Sequence, residues 1–135
     1  MTLTTREQAT RFAIIGGIGF VVDGGILTVL NSLFGLNPLL ARAFSFPIAV
    51  TVTWYLNRHR TFSERKNRRA AFEWSRYAAL NGIGALLNLG VFFWLINRFD
   101  TLADTPLLPL AMGASIALVF NFLTAKHLVF RHQQT

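Results

Sequence analysis

The sequence predicts an all-α integral membrane protein of four transmembrane helices, arranged as two helical hairpins related by a parallel repeat, with N and C termini cytoplasmic. Three observations predict it. Four apolar segments each have about the 20 residues that a helix needs to cross roughly 30 Å of hydrocarbon. The basic residues collect between those segments on one side, and the second half of the chain repeats the pattern of the first.

Composition narrows the class before any motif is read. The 135 residues are 53% hydrophobic, yet the formal net charge is +7. A soluble nucleic-acid binder shares such a charge but spreads it over a folded surface, whereas here it lies between long apolar runs, so no nucleic-acid partner is expected. The absence of cysteine excludes disulfides and thiol chemistry. Arg6 and Arg11 precede the first apolar run as in a signal peptide, but the run is long and no A-x-A-like site follows, so it is expected to persist as a helix. Residues 1–135 read as one domain.

The first helix is expected over 12–34. Asp23 is its only ionisable group, on the order of 17 Å along the axis from Phe12 and so near the bilayer midplane. A charged aspartate there costs roughly 2.5 to 3.5 kcal/mol, so it should face other helices or water. Two readings are open: a carboxyl that stabilises packing, or a coupling or headgroup site. Gly35-Leu36-Asn37-Pro38 then turns the chain, and proline opens the next helix at its first turn.

The second helix, 39–56, carries Arg42 near its start and closes on Trp54 and Tyr55, aromatics suited to the interface. Arg42 is open to three readings: a pair with Asp23, snorkelling to the outer interface, or receipt of a phosphate. A basic connector, 57–76, follows. Phe72 and Trp74 interleave with its charges, which predicts a short interfacial helix over 67–76. The third helix, 77–96, contains Asn81 and Asn88. A polar loop leads to the fourth, 106–123, beyond which lie Lys126 and His127.

Eleven Lys and Arg fall on the side of the termini and connector, and only Arg42 and Arg98 on the other. That bias in short loops puts the termini and connector in the cytoplasm and disfavours an antiparallel dual-topology dimer, while a parallel homo-oligomer stays open. An offset of 65 places Arg11-Phe12 on Arg76-Tyr77, Gly17-Ile18-Gly19 on Gly82-Ile83-Gly84, and Asp23 on Asn88. An offset of 68 places Ser45 on Gly113, Arg58-His59 on Lys126-His127, and Phe62 on Phe130. Each unit is a hairpin, so both copies share one orientation and enclose an interface where a substrate can sit.

Arg11-Phe12 with Gly16-Gly17 and Asp23, Trp54-Tyr55-Leu56-Asn57-Arg58-His59-Arg60-Thr61-Phe62, Arg76-Tyr77 with Asn81-Gly82, and Asn121-Phe122 through to Phe130 together resemble the GtrA-like family over essentially the whole chain. The resemblance implies a small four-helix protein of the cell inner (cytoplasmic) membrane. Its implied role is a flippase, or flippase subunit, for polyprenyl-phosphate-linked sugars in cell-surface polysaccharide synthesis. The module also occurs attached to polyprenyl-phosphate sugar transferases, so a membrane glycosyltransferase is an implied partner and a non-transporting anchor an alternative. A small proton-coupled exporter using Asp23 is a third reading. Thr53 stands where an asparagine is common in the family, and Asn121 retains it.

The candidate substrate or coupling site is therefore Asp23, Asn88 and Arg42. Arg58, Arg60 and Lys126, at matched helix ends, are candidates to gather a lipid phosphate beside anionic membrane lipids. Gly17, Asn81, Gly82 and Asn121 are assigned to helix packing or polar support, with Ala13-x-x-x-Gly17 and Ala78-x-x-x-Gly82 as matched small-residue pairs. His59, His127 and His132 lack metal-ligand companions, so no metal or other cofactor is expected. No loop offers a nucleophile, base and oxyanion site, so no catalysis is expected either.

Overall fold

The computed structural model describes residues 2–66, 68–105 and 107–131. Asn67, Pro106 and the tail from His132 lie outside the described residues, and with them the expected first residue of the interfacial helix and of the fourth span. Among the described residues the α-helices are α1 (Thr5–Ser32), α2 (Pro38–Leu56), α3 (Ala70–Arg98), the single turn α4 (Asp100–Ala103) and α5 (Leu107–Thr124). Four helices are long and apolar enough to cross a membrane.

α1 starts at Thr5, earlier than its apolar run, because Thr4 and Glu7 form a capping box. The Thr4 hydroxyl accepts from Glu7 N at 3.3 Å, and the Glu7 carboxylate accepts from Thr4 N at 2.8 Å. After α1 the chain turns at Gly35, whose φ of +67° is the left-handed conformation that glycine adopts without a Cβ penalty. Asn37 caps α2 through Leu40 N at 2.8 Å, with Pro38 at the first turn.

α3 corrects the expected connector. It begins at Ala70, so residues 70–76 are its first two turns and not a separate interfacial helix. No proline or glycine separates Ala70 from Tyr77, and a buried Glu73 pins this end to α2. α2 and α5 each run on into a five-residue π turn, Asn57–Thr61 and Ala125–Val129, that sequence reading did not foresee. These turns are closed alike, by Phe62 N to Asn57 O and by Phe130 N to Ala125 O, both at 2.8 Å.

α1 packs along α2 and α3 along α5, giving two hairpins. Their close crossings fall at Gly19, which faces the Thr53 methyl, at Gly84, which faces the Asn121 carboxamide, and at Gly113, which faces Asn88. Gly17 and Gly82, expected at the crossings, have nothing within 4 Å of the place a Cβ would occupy. The contact lies two residues further on, about 200° round a helix of 3.6 residues per turn. Gly113→Ala should destabilise the α3–α5 pair by about 1–3 kcal/mol through overpacking, since the added Cβ meets the backbone carbonyl of Asn88 as well as its side chain. Loss of helicity on titration with a denaturing detergent measures this, and Gly17→Ala should leave it unchanged.

The start of α1 and the ends of α2 and α5 meet at one end of the bundle, here called the connector end. Lys126 Nζ donates to Thr5 Oγ1 at 2.7 Å, and Arg11 Nη1 to the Arg60 carbonyl at 2.9 Å. The core lies here, built from Phe12, Val50, Phe62, Tyr77, Ala125, Val129 and Phe130, with Phe62 and Phe130 stacked at 4.8 Å. Away from it large apolar side chains such as Val21, Leu39 and Leu107 are exposed, while Asp23, Asn81, Asn88 and Asn121 border the space between the helices. That is the distribution of a multi-pass membrane protein.

Candidate functional site

A cavity of about 440 Å³ lies between the hairpins. Its polar lining comes from all four long helices: Asp23 of α1, Arg42 and Thr53 of α2, Tyr77, Asn81 and Asn88 of α3, and Asn121 of α5, with Asn57 of the first π turn. The predicted trio of Asp23, Arg42 and Asn88 thus borders one space.

Arg42 and Ser45 are three residues apart on α2 and share a face, which α1 meets at the level of Asp23. One carboxylate oxygen of Asp23 accepts from the Ser45 hydroxyl at 2.7 Å, and the other pairs with the Arg42 guanidinium. Of the three readings open for Arg42, the structure holds the pair. The two partners are unequally covered, with 14% of the Asp23 side chain exposed against 50% for Arg42. The guanidinium also stacks 5.7 Å from the centre of the Phe46 ring, within cation–π range. An inward carboxylate thus holds a half-exposed cation, and a guanidinium fork suits an anion as well as a carboxylate.

Positions 65 and 68 residues on are built from uncharged groups. Asn88 stands in the place of Asp23 and packs on Gly113, which stands in the place of Ser45. Likewise Gly84 and Asn121 repeat the contact of Gly19 with Thr53. Among the described residues the Asn121 oxygen is buried without a hydrogen-bond partner, and the residue borders the cavity. At the connector end the cavity closes on Tyr77, whose hydroxyl accepts from Asn57 Nδ2 at 3.0 Å, while Thr61 Oγ1 donates to Asn57 Oδ1 at 2.9 Å. Asn81 bonds back to the Tyr77 carbonyl at 2.8 Å.

The expected phosphate trio is not gathered into one cluster. Arg58 donates to Glu73 Oε1 at 2.6 Å and lies over the Trp54 ring, and Trp54 Nε1 donates to the same oxygen at 3.1 Å. Lys126 turns to Thr5, and Arg60 is exposed, with its carbonyl taken by Arg11. Tertiary partners, which charge counting along the sequence does not register, take up two of the three cations. Glu73, with a fully buried side chain, is the charged residue that sequence reading missed. Its signal is that of a lone acid between Arg69 and Arg76. Among the described residues no group of three His, Cys, Asp or Glu is placed to hold a metal ion.

Residues 11–130 match the family model of the GtrA/DPMS transmembrane domain. The match takes in α1 from Arg11 onward, all of α2, α3 and α5 and both π turns, together with the residues that line the cavity. The chain belongs to the GtrA/DPMS transmembrane-domain family.

Proposed function

We propose that the chain translocates polyprenyl-phosphate-linked sugars across the cytoplasmic membrane, alone or as a subunit of a translocase, in the synthesis of cell-surface polysaccharide. The observation that carries this is the single cavity in which Asp23, Arg42 and Asn88 meet. A half-exposed guanidinium suits a phosphodiester, and the carboxamides of Asn88 and Asn121 suit the hydroxyls of a sugar. The basic connector end belongs in the cytoplasm by its charge, where it draws anionic headgroups toward the bundle. The two hairpins act as parallel repeats that move against each other about the cavity. On this reading the chain catalyses no bond-making step: its two most covered acids, Asp23 and Glu73, are held in ion pairs with Arg42 and Arg58.

Reconstitution of the chain alone into liposomes, with a labelled polyprenyl-phosphate sugar in one leaflet, tests the reading. Transbilayer movement is expected, and its loss in Asp23→Asn. Absence of movement together with binding of a glycosyltransferase would replace translocation by anchoring.

A further inference from the structure

Among the described residues the cavity holds two charged side chains, Asp23 and Arg42, and they neutralise each other. A phosphodiester entering beside them would leave one net negative charge among membrane-spanning helices, which is disfavoured. We propose that Arg42 exchanges Asp23 for the substrate's phosphodiester and that Asp23 takes up a proton as it lets go, so that one proton enters the cavity with each headgroup. The identity of the lipid rests on the translocase reading, whereas the exchange itself rests on the ion pair.

The geometry provides for each partner. Arg42 is the more exposed of the two, so an anion reaches it before it reaches Asp23. Its planar fork accommodates phosphate oxygens as readily as a carboxylate. Asp23 does not lose its only contact on protonation, because Ser45 lies 2.7 Å away and a hydroxyl rotates from donor to acceptor. Arg42 is the charged group that α2 sets against Asp23. α3 adds Tyr77 as the cavity's other titratable group, with its hydroxyl engaged by Asn57 at the connector end. The α5 lining, Ala114, Ala117, Leu118 and Asn121, carries no titratable group. The charges balance throughout: the carboxylate becomes a neutral acid, the guanidinium keeps its charge, and the phosphodiester keeps its own. The second hairpin has no such device, because Asn88 and Gly113 replace Asp23 and Ser45.

The test is calorimetric titration of the purified chain with farnesyl-phosphoglucose, a phosphodiester that does not itself titrate near neutrality, in buffers of differing ionisation enthalpy. Uptake of one proton per ligand is expected, with affinity falling about tenfold per pH unit where free Asp23 is ionised. Asp23→Asn, which keeps the Ser45 contact and nearly the same shape, should bind without pH dependence and take up no proton. Arg42→Gln should not bind at any pH. Wild-type binding without proton uptake overturns the exchange, as does a slope that survives in Asp23→Asn. Dimethyl phosphate is the second ligand: weak binding identifies the lipid as the source of the phosphodiester, and equal binding keeps the exchange but overturns the lipid. Proton-linked binding without transbilayer movement overturns translocation alone, and movement without proton uptake overturns the exchange alone.

Discussion

Glu73→Ala should lower the stability of the folded chain by about 3–5 kcal/mol, the cost of breaking a buried ion pair by removing one partner. The Glu73 side chain is fully covered and that of Arg58 is 14% exposed, so the pair is little screened by solvent. One carboxylate oxygen serves both Arg58 and Trp54, so truncation strips an acceptor from an indole and a guanidinium together. The damage falls between the hairpins, since Glu73 belongs to α3 while Trp54 lies on α2 and Arg58 on the turn that continues it. Glu73→Gln should cost less, because an amide oxygen still accepts from Trp54. Arg58→Leu combined with Glu73→Leu should recover much of the loss, as apolar pairs often replace buried ion pairs without penalty. Titration with a denaturing detergent, read by helicity, ranks the variants. A Glu73→Ala chain as stable as the parent would show that the contact contributes nothing.

The four spans were legible because an apolar run of the right length admits few alternatives in a chain of this composition. Asp23 and Asn88 were legible for a related reason: polar groups at midplane depth must turn inward, and one cavity then receives both. What escaped depends on contacts across the bundle. Arg58 reads in sequence as one of a row of cations open to a lipid phosphate, and only the approach of α3 to α2 makes it the partner of a buried acid. The crossings at Gly19 and Gly84 are set by which face each hairpin closes on, and the small residues at positions 13, 17, 78 and 82 pointed to a different face. The π turns left a trace in the matched Arg58-His59 and Lys126-His127, but a repeated motif does not say that a helix widens there.

A cysteine at position 85 should react with a membrane-impermeant maleimide from the loop end of the bundle and be protected from the connector end. The parent chain has no cysteine, so Ala85→Cys reports on the cavity alone. Towards the loops the cavity is bordered by Arg42, whose side chain is half exposed. Towards the connector it is stopped by Phe12, Phe62, Tyr77 and Phe130, none more than 4% exposed, with Phe130 in contact with both Phe62 and Tyr77. Phe62 and Phe130 lie 68 residues apart and follow the two π turns, so each hairpin supplies one half of the plug. On the translocase reading this arrangement is the one closed toward the connector, and replacing both by alanine removes ring contacts that hold it. If about 1.4 kcal/mol of the loss falls on that arrangement, the open population rises tenfold. Labelling of position 85 from the connector end should then rise by about that factor, while labelling from the loop end changes little. Either phenylalanine alone should have a smaller effect, because the remaining ring still covers part of Tyr77 and Phe12. Connector-end labelling that stays at the parent level in the double variant would place the barrier elsewhere, with the Arg58–Glu73 pair as the next structure to break.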